Sequence, residues 1–246
     1  MGRPVEVTRG VFRLPLGFLG QVANAYIWIS QRGPVVIDAG PPGAGQTIID
    51  ALIALGYGPQ NVVALLVTHG DFDHVGGLAD LKRWSYAPVV AAEAEVPLIE
   101  GRVDHRLRMR PRSVREHLMA ALASLLTRIA GTPEPVTVDL VLTPASEATL
   151  GGLRPVPTPG HTAGHTCFLA PESGILFTGD AILNNRRLSL PIAIATEDMD
   201  QAKRSIKQLS GLSFDIACFG HGQPITQRAD EQIRRFAESL SIDRQR

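Results

Sequence analysis

One stretch of the chain, residues 68–77 (THGDFDHVGG), limits what it can become more than any other. It sets His69, Asp71, Asp73 and His74 within six residues, directly after the apolar run 62–67 (VVALLV). A run of that length, rich in branched residues, reads as a buried strand, so four polar side chains emerge where the strand ends and the chain turns. Strand ends are where sites form in layered α/β folds. Imidazoles and carboxylates crowded beside a core strand need partners, and a divalent cation satisfies them together. The plainer alternative is a polar loop in which Asp71 caps the following helix and the histidines are incidental.

Three distant segments favour the cation. His161 lies in TPGHTAGH (158–165), Asp180 in LFTGDAI (176–182) and His221 in CFGHGQP (218–224). Each follows or ends an apolar run that reads as a strand, so several strand ends are expected to converge on one point.

This pattern resembles the metallo-β-lactamase superfamily, whose signature is a His-x-His-x-Asp-His loop at a strand end, followed downstream by a His, an Asp and a final His. The matching residues are His69, Asp73, His74, His161, Asp180 and His221, in family order over nearly the whole chain. The resemblance implies a four-layered αββα sandwich of the α/β class, one domain over residues 1–246, with a helical insertion at about 101–135. It also implies two divalent metals: His69, residue 71 and His161 on one, Asp73, His74 and His221 on the other, and Asp180 between them. The sequence departs from the family at Asp71, where a second His is usual. An aspartate still ligates, but a hard oxygen in place of a nitrogen moves preference from Zn2+ toward Mn2+ or Fe. Zn2+ remains the first expectation, and the alternative for Asp71 is a place behind the ligands, orienting them. A family Asp that supports the metal loop from behind corresponds to Asp38, and His165 is expected to bond to a ligand rather than be one.

The 246 residues, 44% of them hydrophobic, suffice for one large core. The formal net charge is zero, so no global field recruits nucleic acid or an anionic membrane. The start of the chain, MGRPVEVTRGVFRLPL, has no apolar segment ahead of a cleavage site, and no later run reaches the length of a membrane span. A cytoplasmic protein with a small-molecule substrate is the expectation. Cys167 and Cys218 lie in apolar strands and read as small core residues.

Turn signals in 5–38 predict four antiparallel strands, at 5–8, 11–14, 23–30 and 35–38. Between the second and third, 15–21 (PLGFLGQ) reads either as an apolar flap over a pocket or as an ordinary hairpin. Tyr26 and Trp28 share one strand face and read as core or sheet surface. Helices are predicted at 47–55 and 78–84, with Gly76 and Gly77 letting the latter pack close to the sheet. A strand at 88–91 and a short helix at 92–99 follow. Six arginines then fall in 102–115, ahead of an apolar helical stretch ending at Gly131. That segment reads as a solvated basic face, a helical lid or a phosphate-binding patch, the last weakened by the absence of interleaved aromatics. His105 and His117 within it read as surface residues. Strands at 136–142, 148–150, 153–156, 166–170 and 175–178 predict a second, antiparallel sheet. Residues 183–192 read as a loop beside Asp180 whose Asn184, Asn185 and Arg186 are substrate-contact candidates, without the tyrosine that related lactonases carry nearby. A helix at 199–209, a strand at 214–219 and a helix at 228–240 close the chain.

The implied chemistry is hydrolysis: paired cations make water acidic enough to attack near neutral pH, and Asp73 orients it and carries a proton. TPGHTAGH with FTGD resembles the glyoxalase II and lactonase branch, which puts a carboxylic ester, thioester or lactone first. A phosphodiesterase or nuclease of the same fold is the alternative, because Asp71 resembles the loop of some DNA-processing relatives. An iron-dependent redox protein and a metal-stabilised binding module without turnover are the readings from other classes.

Overall fold

The computed structural model describes residues 3–18, 21–104, 131–143 and 150–241, with isolated positions between 113 and 125. The arginine run beyond Arg102, most of the apolar stretch after it and the strand predicted at 148–150 lie outside or largely outside these residues.

Two sheets carry the fold. The first contains β1 (Val5–Thr8), β2 (Val11–Phe18), β3 (Gln21–Ser30), β4 (Gly33–Ile37), β5 (Ala64–Leu66), β6 (Val89–Ala91) and β7 (Leu140–Val141), in that spatial order. Neighbours are antiparallel from β1 to β4 and parallel from β4 to β7. The second sheet runs β13 (Ile216–Phe219), β10 (Ile175–Gly179), β9 (Thr166–Ala170), β8 (Arg154–Pro157), with β10 and β13 parallel and the other pairs antiparallel. A short ribbon, β11 (Leu183–Asn184) with β12 (Leu188–Ser189), lies between β10 and β13 in sequence.

The layering follows from the two-residue period of the strands. Val35 and Ile37 of β4, with Ala64 and Leu66 of β5, face Phe168, Phe177 and Cys218 of the other sheet. Val36 and Leu65, one residue out of phase, face the opposite way onto α1 (Gly45–Ala54) and α3 (Leu78–Ser85), meeting Ile48, Leu52, Leu78 and Leu81. On the far side, Cys167, Leu169, Leu176 and Phe219 pack on Ile206 and Leu209 of α5 (Met199–Leu209) and Ile233 of α6 (Ala229–Glu238). Three cores between four layers make the αββα sandwich. Tyr26 belongs to the central core, and Trp28 packs against it with its indole N–H donating to Gly151 O.

Several expectations shift in detail. Residues 15–18 and 21 continue β2 and β3 as one hairpin, from Pro15 opposite Asn24 to Phe18 opposite Gln21, with Leu16 buried in the first core; the flap gives way to the hairpin. The strand predicted at 136–142 shrinks to β7 and joins the first sheet, parallel to β6, rather than the second. Residues 183–192 form a ribbon, not a plain loop. Gly76 and Gly77 serve a close approach, but to the chain at 39–45 rather than to the sheet: a Cβ on Gly76 would stand 2.1 Å from Pro42 N. The short helix at 92–99 splits into a 3-10 turn, Glu93–Glu95, and α4 (Val96–Ile99). The excursion that follows is closed at its stem, where Val136 N–H donates to Ile99 O at 3.0 Å before the chain reaches β7.

Candidate metal centre

The ligand-type side chains stand at the carboxyl ends of β5, β10 and β13 and in the turn before β9. After β5 the chain makes a short helix, α2 (Phe72–Val75), and this turn aims His69, Asp71, Asp73 and His74 into one space. Asp71 occupies the position ahead of α2, yet its side chain makes no capping bond; its Oδ2 lies 3.0 Å from His161 Nε2 and 3.6 Å from His69 Nε2. The capping alternative for Asp71 is thereby replaced.

Three sets of atoms each lie within 4.8 Å of one another: His69, Asp71 and His161; Asp73, His74 and His221; and His69, His74 and Asp180. Asp180 spans the space, with Oδ1 3.5 Å from His74 Nε2, and Oδ2 3.3 Å from His221 Nε2 and 4.0 Å from His161 Nε2. His74 Nε2 and His221 Nε2 approach to 3.4 Å. All seven residues named from the sequence meet at this point. The side chains of Asp71 and Asp73 are about a fifth exposed, at 20% and 19%, whereas His69, His74 and Asp180 are buried, so the opening to solvent lies toward Asp71, Asp73 and the partly exposed His221.

A layer of partners fixes the rings. Asp38, with a left-handed φ of 59°, accepts from the N–H and hydroxyl of Thr68 at 2.8 Å and meets His74 Nδ1 at 2.9 Å, which leaves His74 Nε2 facing the centre. Thr68 Oγ1 lies 2.9 Å from His69 Nδ1, and Thr196 Oγ1 lies 3.3 Å from His161 Nδ1. His165 stands where expected, behind the ligands: its Nε2 accepts from the Asp180 N–H at 3.0 Å and its Nδ1 meets Thr158 Oγ1 at 2.8 Å. Around His221, Tyr26 and Asn24 donate to Phe219 O, and Asn24 and Arg13 donate to Gly222 O.

The electrostatics are those of negative charge gathered for a cation. Burial lowers the proton affinity of His74, but the Asp180 and Asp38 carboxylates outweigh it and lift its pKa to about 10. His221 is likewise disfavoured by burial and raised by Asp180 and Asp73 to about 9. Burial would raise Asp180, but His221, His74 and His161 hold it well below the usual carboxylate range. Burial keeps Asp73 above its ordinary value against the pull of His74 and His221. His165 is driven down to about 3, by burial first and His161 second, and stays neutral. The two thiols are buried, with Cys167 pushed up to about 12 and Cys218 higher, as befits core residues.

Sequence reasoning missed Glu95. Its carboxylate is buried, with Oε2 accepting from Gly70 N–H at 2.7 Å and Oε1 from Gly164 N–H at 2.9 Å and from the Thr162 hydroxyl. Nothing local distinguishes it from Glu93, two residues earlier and exposed.

Comparison with known proteins agrees with this geometry. The family model "Metallo-beta-lactamase superfamily" matches residues 19–221. The chain belongs to that superfamily. It is similar to the probable metallo-hydrolase YflN of Bacillus subtilis (strain 168), 31% identical over 92% of this chain and 88% of the relative. It is also similar to the thioesterase pkgB of Emericella nidulans, 25% identical over 97% of this chain and 59% of that protein. Among solved structures, TTHA1623 in a di-iron-bound form superposes with a TM-score of 0.66 and 28% identity, covering 87% of this chain and 94% of the other. A member of this superfamily with these relatives is a metal-binding hydrolase, and no described helix is long and apolar enough to cross a membrane.

Proposed function

We propose that this metallo-β-lactamase superfamily protein cleaves a carboxylic ester, thioester or lactone of a small molecule at a centre of two divalent ions. The observation that carries the reading is the position of Asp180 between two three-residue ligand sets. Its Oδ1 is buried with no hydrogen-bond donor, an expensive arrangement for a carboxylate unless a cation takes the place of the donor. The donor chemistry fits the same occupant: His69, Asp71 and His161 would hold one ion, Asp73, His74 and His221 the other, with Asp180 shared. Zn2+ suits the four imidazoles. Asp71 adds a hard oxygen that suits Mn2+ or Fe, and the di-iron relative supports keeping iron beside zinc.

When bound, such a pair polarises a carbonyl and makes water nucleophilic near neutral pH. The chain's own residues do the rest. Asp38 and the hydroxyls of Thr68 and Thr196 turn the Nε2 atoms of His74, His69 and His161 toward the centre and hold them there. Asp73, partly exposed and raised from its ordinary pKa by burial, is placed to orient the attacking water and to take up its proton at a carboxylate oxygen. Neither cysteine is presented as a nucleophile, since both thiols are buried and kept protonated. The thioesterase relative supports a thioester among the acyl substrates.

The test is a panel of p-nitrophenyl esters, thioesters, lactones and bis-p-nitrophenyl phosphate, run beside elemental analysis. The expected outcome is acyl cleavage by protein carrying about two ions per chain, abolished by chelation. Turnover of the phosphodiester alone, or full activity after exhaustive chelation, would overturn the reading.

A further inference from the structure

We infer that Glu95 is a positioning residue that sets the spacing of one ligand set, His69, Asp71 and His161, independently of the other. The inference rests on the two-ion reading above. Glu95 is 2% exposed and lies at the junction of the 3-10 turn and α4, outside every segment that carries a ligand. One carboxylate oxygen accepts from Gly70 N–H at 2.7 Å, between His69 and Asp71 in sequence. The other accepts from Gly164 N–H at 2.9 Å and Thr162 Oγ1 at 2.5 Å, one to three residues past His161. One side chain therefore joins two loops 90 residues apart at the positions beside their ligands, where Asp71 Oδ2 and His161 Nε2 stand 3.0 Å apart.

The fit around this carboxylate is tight. A Cβ on Gly164 would come 2.7 Å from Glu95 Oε1, and one on Gly70 would come 2.9 Å from Leu98 Cδ2 and 3.1 Å from Glu95 Oε2. The other set has a different direct brace: Asp38 bonds His74 itself, meets the first set only at second hand through Thr68 and His69, and reaches neither Gly70 nor the 161–164 turn. Three directed hydrogen bonds to one carboxylate are stronger than neutral ones and allow little drift of the loops they join. Outer partners of metal ligands act on affinity by about 10–100-fold, and Glu95, whose bonds go only to Gly70, Thr162 and Gly164, should act on one ion.

The experiment is a calorimetric titration of metal-free protein with Zn2+, repeated with Co2+ so that its visible absorption gives a second readout of the two steps. Glu95→Gln is nearly isosteric but turns an amide N–H toward a backbone N–H; Thr162→Val removes one bond only and guards against misfolding of the first variant. Wild type should bind two ions. Glu95→Gln should weaken one binding step by about 10–100-fold and leave the other within a few-fold, with Thr162→Val shifting the same step by less. Both steps unchanged, or both weakened equally in variants of native circular dichroism, would overturn the inference. Wild type that binds no second ion would instead remove the two-ion reading beneath it.

Discussion

The two halves of the chain furnish the centre in different ways. The first sheet delivers four ligand-type side chains on one six-residue turn after β5, whose geometry is set by α2 and by the Asp38–Thr68 bonds beside it. The second delivers His161, Asp180 and His221 from three turns, placed by the register of β9, β10 and β13. A locally built half forms its pocket with its own loop, whereas a dispersed half has one only after the sheet is assembled. The halves meet at Asp180, whose carboxylate reaches His74 from one side and His161 and His221 from its own.

The comparison is broken most severely where the halves meet. Asp180→Ala should lower kcat/KM at least about a thousandfold, about 4 kcal/mol of transition-state stabilisation, while far-UV circular dichroism stays native; unchanged turnover would separate this carboxylate from the chemistry. Next comes pH. In the metal-free chain His74 and His221, with pKa values of about 10 and 9, are protonated at neutrality, and both protons must leave for a cation to bind. Affinity for the ion of the Asp73, His74 and His221 set should thus rise with pH, by up to about 100-fold per unit below pH 9. Calorimetry in buffers of different ionisation enthalpy should count about two protons released, and a pH-independent affinity would contradict the assignment.

Asp38→Asn probes the local half alone. Asn tolerates the left-handed backbone found at Asp38, so the substitution tests the carboxylate rather than the turn. It should weaken metal binding by about 10–100-fold, seen as a shift of the zinc titration that is largest for the set holding His74. The mildest change is Asp71→His, which restores the usual family residue. Activity should stay within about tenfold, and the preference between Zn2+ and Mn2+ in competition should move toward zinc. Unaltered preference would mean that Asp71 does not touch the metal.

The legibility of the molecule follows the same division. The turn after β5 could be read directly, because its ligand types are dense and the strand before it is apolar, and the strand-end position of His161, Asp180 and His221 was equally plain. What the sequence hid depends on distant chain. β7 was assigned to the second sheet because its neighbours in sequence are there; its partner, β6, lies about fifty residues back. The stretch 15–21 admitted a flap as well as a hairpin because Pro15, Gly17 and Gly20 are turn residues by type, yet pairing of 15–18 with 21–24 carries the strands on. Glu95 was illegible for the same reason, since only the fold brings Gly70, Thr162 and Gly164 around it. Asp38 came through resemblance alone, its left-handed backbone being invisible in a strand-like VVID.

The bond between Val136 and Ile99 ties off the excursion between α4 and β7 like the neck of a purse. Both ends of that excursion are thereby pinned beside the β6–β7 edge of the first sheet. A change in the length of that excursion therefore leaves its two ends, and the ligand-bearing turns, where they are.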